Sequence, residues 1–192
     1  MVCLMKMIRL IVLASLLLAA TSSRAARIAW VSFHAADDAP SAAAITAGFT
    51  RAPDAGYTAL LAAQGHQVTR FVTVEGIYDY PDMVAALNTN DLVILSRSVP
   101  SGHYDAVEET AVWQSITVPI LALGGYVNRA NRLGFHTGDT IPDVNSALLR
   151  LRVNASAHPI FTGIALDADG TMVNPYAQIV TYTNASTGTT LV

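Results

Sequence analysis

Two short runs of uninterrupted apolar residues constrain this chain more than any other feature: Leu92-Val93-Ile94-Leu95 and Ile120-Leu121-Ala122-Leu123. A strand that is apolar at every position has both faces covered, as in a parallel sheet with helices on each side. Between the runs lie a polar loop, Ser96 to Asp105, and a segment from Tyr104 to Gln114 that reads as a helix with Glu108 and Glu109 facing solvent. The second run ends in Gly124-Gly125. Ligands of such sheets bind beyond the carboxyl ends of the strands. Ser96-Arg97-Ser98 and Gly124-Gly125 are therefore the places where function is expected.

The rest of the chain repeats the alternation. Arg27 to Phe33 is a first strand that runs into a polar loop with adjacent carboxylates, Asp37 and Asp38. The alanine-rich stretch from Ser41 to Phe49 suits either a short helix or a lid. Pro53-Asp54 opens a helix over Ala55 to Ala63, with Asp54 as its N-cap and Gly65 just past its end. Gln67 to Val72 alternates like a half-buried strand, Pro81 to Leu87 is a short helix, and Asp91–Ser96 and Val118–Leu123 are the third and fourth strands. The succession β-α-β-α-β-α-β with short connections predicts an α/β, flavodoxin-like, doubly wound and mainly parallel sheet.

Beyond Gly125 the pattern loosens. A helical turn is expected over Tyr126 to Leu133, carrying Arg129 and Arg132, then a polar loop from Gly134 to Asn145. Strands are expected at Ala147 to Val153 and Ala177 to Tyr182, with a turn at His158 to Gly163. Asn184 to Thr190 reads as a turn, and the last residues, Leu191-Val192, as the opening of a further strand. The domain is accordingly expected to be C-terminally incomplete, a piece of a larger polypeptide.

Composition narrows the setting. With 192 residues the chain suffices for one α/β domain over residues 27–192, preceded by a leader over residues 1–26. Lys6 and Arg9 precede an apolar run from Leu10 to Ala20, and Ser23-Arg24-Ala25 supplies small residues for cleavage, the pattern of a secretory signal. That run is about half the ~20 residues of a membrane span. The expected location is secreted, periplasmic or extracellular, off the membrane once the signal is removed. The single cysteine, Cys3, falls inside the leader, so thiol catalysis and disulfides are excluded from the remainder. A net charge of −3 offers no footprint for nucleic acid. Asn154-Ala155-Ser156 and Asn184-Ala185-Ser186 match glycosylation sequons, which matter only in a eukaryotic secretory pathway.

In a 2-1-3-4 strand order the first and third strands are neighbours, and their carboxyl ends border the crevice of the sheet. This brings His34, Asp37 and Asp38 beside Ser96, Ser98, Ser101, His103 and Asp105, with His136 and Asp139 supplied by the loop after the fourth strand. Histidines and aspartates at one rim suit a divalent metal or general acid–base chemistry. No spacing matches a metal motif, and no cofactor is predicted. Serine chemistry at Ser98 or Ser101 would take His103 or His158 as base, with Asp37 as a carboxylate. No G-x-S-x-G elbow is present. The amides of Gly124 and Gly125 could cradle an anion beside Arg129, although close backbone packing also calls for glycine at a strand end. Trp30 and Trp113 are assigned to the core, without a stacking role.

The segment Asn90-Asp91-Leu92-Val93-Ile94-Leu95-Ser96-Arg97-Ser98, followed by a helix and Val118-Pro119-Ile120-Leu121-Ala122-Leu123-Gly124-Gly125, resembles the class I glutamine amidotransferase-like fold. The closer resemblance is to trehalose-utilisation (ThuA-like) domains, which share a His-Pro-Ile-x-x-Gly turn like His158 to Gly163. In amidotransferases a cysteine nucleophile follows the strand corresponding to Val118–Leu123, and that position here is Gly124. The resemblance thus implies the fold without glutaminase activity. It implies binding or processing of a carbohydrate or small polar ligand, and the strand-end reading offers Asp38, Ser96, Arg97, Gly124, Gly125 and Arg129 as the ligand-binding residues. The alternatives are a secreted hydrolase of ester, lactone or glycosidic bonds using Asp37, Ser98, Ser101, His103 and His158, and a structural module of a larger surface protein. The sequence leaves the substrate and the oligomeric state open.

Overall fold

Four parallel strands in the order β2-β1-β3-β4 form the sheet of the computed structural model, which describes residues 25–140, 143–144, 152–172 and 183–184. They are β1 (Arg27–Ser32), β2 (Gln67–Val72), β3 (Leu92–Leu95) and β4 (Ile120–Ala122). The helices are α1 (Ala42–Thr46), α2 (Ala55–Ala63), α3 (Pro81–Asn88) and α4 (Val107–Gln114), with single 3-10 turns at Ile77–Asp79, Ser101–Tyr104, Tyr126–Asn128 and Pro159–Phe161. The architecture is the expected flavodoxin-like α/β sheet, with the strand order reversing direction between β1 and β3.

Side-chain alternation along the strands divides the core in two. Ala29, Val31, Val93 and Leu95 point to one face, where they pack with Leu87 of α3, Trp113 of α4, Ile77, Tyr104, Val127 and Leu133. Ile28, Trp30 and Ile94 point to the other, against Leu61 of α2 and Val68. Helices thus lie on both faces, and β1 and β3, in the middle of the sheet, carry nearly all the fully buried strand residues. Gly65, at φ +87°, takes the left-handed conformation that turns the chain out of α2 and into β2.

Four local expectations are corrected. The fourth strand is not fully buried: it is the edge of the sheet, and Leu121, on the Trp30 face, is 44% exposed. The helix expected from Tyr104 starts only at Val107, because Ala106 is extended (φ −78°, ψ 148°) and separates it from the preceding 3-10 turn. The third correction concerns Glu109, which is expected to face solvent and is only 1% exposed. Its carboxylate accepts from the Ala106 amide at 3.0 Å and from the buried Gly76 amide, tying the start of α4 to the loop before α3. A glutamate at the third helical position reaching back to the N-cap amide also suits the helix dipole. The turn expected over Tyr126 to Leu133 shortens to Tyr126–Asn128.

The expected leader, apart from Ala25 and Ala26, lies outside the described residues. So do the strand expected at Ala177 to Tyr182, most of the one at Ala147 to Val153, and the chain after Asn184. Of the remainder, Asp143–Val144 pairs antiparallel with Thr183–Asn184, and Arg152 bridges to Thr171. Among the described residues no helix is long and apolar enough to cross a membrane.

Glu109→Ala removes the acceptor of a buried amide, so it is expected to lower the stability of the protein by about 1–3 kcal/mol, measured by urea unfolding. A surface role for Glu109 would leave the midpoint unchanged.

Candidate functional site

At the carboxyl ends of β1 and β3 the structure centres on Asp54, a carboxylate only 5% exposed. Asp54 occupies the N-cap position of α2, but its backbone (φ −95°, ψ 3°) is not the extended conformation of a capping residue, and its side chain makes no cap hydrogen bond. The carboxylate turns toward the sheet instead. The Trp30 indole N–H donates to Oδ2 at 3.0 Å, and the Ser32 hydroxyl donates to the same oxygen at 2.7 Å. Trp30 and Ser32 are two apart on β1 and so share a face. Arg70 lies opposite Trp30 in the β1–β2 register, and its guanidinium donates to Asp54 Oδ1 at 3.0 Å. The same guanidinium also pairs with Asp37, which accepts from the Thr58 hydroxyl at 2.8 Å.

Burial pushes the Asp54 carboxyl upward, but the hydrogen bonds from Trp30, Ser32 and Ser96 and the charge of Arg70 outweigh it, so the group sits below the usual carboxylate range. It is a fixed anion at neutral pH.

Ser98 joins this network from the β3 side. Its hydroxyl lies 2.6 Å from the Ser96 hydroxyl, 3.0 Å from that of Ser32 and 3.5 Å from Asp54, and it accepts from the Phe33 amide at 3.0 Å. Three serines at the carboxyl ends of two adjacent strands therefore gather around one carboxylate. Above them opens a pocket of about 370 Å³ lined by Trp30, His34, Asp54, Tyr57, Arg97 and Ser98, with Pro53 and Leu123 at its edges. Tyr57 stacks on Trp30 with ring centroids 5.9 Å apart and planes at 21°, yet it remains 55% exposed, so it presents a ring to the solvent side. Trp30 is a core residue as expected, and in addition it backs this stack.

A second pocket, of about 210 Å³, adjoins along Arg97 and is lined by Val99, Ser101, Gly124, Gly125, Tyr126 and Val127. Behind it Arg129 donates to the Tyr126 carbonyl at 2.9 Å, reaches the Ser101 hydroxyl at 3.4 Å and lies over the Tyr126 ring at 5.5 Å.

The residues singled out from sequence divide between these places. Ser96, Ser98 and Arg97 are together at the first pocket, and Ser101, Gly124, Gly125 and Arg129 gather at the second. Asp37 is near the network but committed to Arg70 and Thr58, and Asp38 is exposed on the same loop. His103 meets the Thr73 hydroxyl through Nδ1 at 3.3 Å and the edge of Phe33, not a serine. His158 caps its own turn, accepting from the Ile160 amide at 3.3 Å. His34 is buried and accepts from the Ser41 amide at 3.0 Å. Among the described residues no three His, Cys, Asp or Glu side chains converge as a metal shell requires. Sequence reading missed Asp54, Ser32, Arg70 and Tyr57 as site residues. Only the parallel register, which sets Arg70 beside Trp30, could have gathered them.

Comparison with protein-family models, with curated proteins and with solved structures finds no match to this chain.

Asp54 has a folded pKa below its unfolded value, so the stability it contributes is full above the ordinary aspartate pKa of about 3.9 and is lost as pH falls through the folded value. Asp54→Asn is expected to be less stable than the native protein at pH 7, by roughly 1–3 kcal/mol. The gap should narrow in chemical denaturation below about pH 4. A gap that stays constant down to pH 2 would show that the carboxylate is not the source of the difference.

Proposed function

We propose that this chain is a secreted amidotransferase-like domain of the ThuA-like kind that binds a carbohydrate or small polar ligand at the carboxyl ends of β1, β3 and β4 and lacks glutaminase activity. The pocket over Asp54 carries the reading. A sugar has a ring of hydroxyls and an apolar C–H face, and the lining of this pocket combines the matching groups: the Tyr57 ring stacked on Trp30, and the polar Ser98, His34, Asp54 and Arg97. Its volume of about 370 Å³ sits at the small end of ligand sites, which run about 300–1,000 Å³, and suits one sugar ring rather than a chain. The polar floor is held in advance by buried hydrogen bonds, so little ordering is required when a ligand enters. Gly124, where amidotransferases carry their cysteine, has no side chain to serve as nucleophile, and the leader pattern at the N-terminus supports export.

A second reading, a hydrolase of ester, lactone or glycosidic bonds, rests on Ser98 at the floor of the same pocket. It draws less support. The Ser98 hydroxyl meets, at 3.5 Å, the Asp54 carboxylate, whose lowered pKa makes it a weak base, and His103 is engaged with Thr73.

The purified protein titrated with a panel of monosaccharides by calorimetry is expected to bind at least one. Tyr57→Ala should weaken that binding about fivefold to tenfold, the order of one aromatic contact. Failure of every sugar to bind would remove the carbohydrate reading. Turnover of chromogenic esters or glycosides that Ser98→Ala abolishes would install the hydrolase in its place.

A further inference from the structure

We infer that the two adjoining pockets take one ligand, a monosaccharide bearing an anionic group such as a uronic acid or a sugar phosphate, with its ring over Tyr57 and its anion between Arg97 and Gly124. The inference rests on the sugar-binding reading above and specifies the class of sugar.

Three observations lead to it. The first is Arg97. It belongs to the lining of both pockets, is exposed, and makes no hydrogen bond or ion pair with any described residue. Every other arginine near the site is committed: Arg70 to Asp37 and Asp54, Arg129 to Tyr126 and Ser101. A guanidinium left open over a ligand pocket presents a planar set of donors suited to a carboxylate or phosphate.

The second is the unlike charge of the two pockets. The larger is floored by the Asp54 carboxylate, which repels an anion and accepts from hydroxyls. The smaller has no carboxylate in its lining, and Arg129 stands behind two of its walls, Ser101 and Tyr126. A ligand spanning both would therefore turn its hydroxyls toward Asp54 and Ser98 and its acid toward Arg97 and Arg129.

The third is Gly124 itself. Its φ lies outside the left-handed region, so the backbone there does not demand glycine. A Cβ at that position would meet only Val127 Cγ2, at 4.0 Å, so no neighbouring atom demands it either. What the absent side chain leaves is space in the smaller pocket, where a ligand group can approach the backbone. Close packing, the other reason for a glycine at a strand end, does not operate here.

Calorimetric titrations of the whole protein with glucose, glucuronate, glucose 6-phosphate and inorganic phosphate at fixed ionic strength test the assignment. Glucuronate or glucose 6-phosphate is expected to bind at least tenfold tighter than glucose, and whichever is tighter identifies the anion. Inorganic phosphate alone should bind more weakly than either. Arg97→Ala should bring the favoured sugar to within about twofold of glucose. Gly124→Ala should melt at the native temperature yet lose about tenfold for the anionic sugar, with glucose little changed. Equal affinity for neutral and anionic sugars would overturn the inference while leaving the sugar pocket standing, whereas no binding by any sugar would overturn both. Full affinity for the anionic sugar in a folded Gly124→Ala protein would overturn the placement of the anion.

Discussion

The Asp54 carboxylate is the point on which the carboxyl end of this sheet depends. A buried anion is costly unless it is paired and hydrogen-bonded, and here one carboxylate gathers an indole N–H, a serine hydroxyl and a guanidinium from β1 and β2. Two of the donors come from β1 and one from β2, so satisfying Asp54 fixes the start of α2 against both strands. Through Ser32 and Ser98 the network reaches the end of β3. The loop carrying Arg97 is thereby attached to the same anchor, so its guanidinium is presented from a held backbone rather than a free one.

The opposite face of the sheet is organised by a second buried carboxylate with a different task. Glu109 binds two amides, one at its own helix start and one in the loop before α3. Beside it the Tyr104 hydroxyl is pushed well above the usual phenol range, chiefly by burial and further by the charge of Glu109, against the opposing hydrogen bond to Thr73. Thr73 in turn meets His103. His103, which the sequence offers as catalytic, is thus engaged in holding the 3-10 turn onto the core. Polarity at a strand end has two uses, and only the partners of each side chain tell them apart.

That distinction sets the limit of what the sequence conveyed. The four parallel strands, the helix at Ala55–Ala63 and the left-handed glycine after it were legible because each rests on periodicity or on a local backbone requirement, whereas the 2-1-3-4 order entered only as the flavodoxin-like arrangement of such an alternation. Glu109 was misplaced because a glutamate in the first helical turn is normally exposed, and its burial depends on Gly76, 33 residues away. Asp54 was recognised as the residue before a helix, but its true partners are 16 to 24 residues distant, and no local signal distinguishes a capping aspartate from one that turns inward. Tyr57 was passed over for a similar reason: within an alanine-rich helix it reads as an ordinary surface residue until Trp30 is placed beneath it.

Gly124 shows how a structure can change the meaning of one position without moving it. From sequence it is the residue that falls where the amidotransferases it resembles carry a cysteine, and so an expectation that glutaminase chemistry is absent. In three dimensions it has neither the backbone angle nor the crowded surroundings that ordinarily account for a glycine. The explanation that survives is the space it leaves beside Ser101 and Arg97. A Cβ there would stand in the smaller pocket, so on the proposed reading the position matters for the room it leaves to a ligand. On the proposed reading, the same missing atoms account both for the lack of a nucleophile and for the room to bind, because function lies in the site and not in the fold.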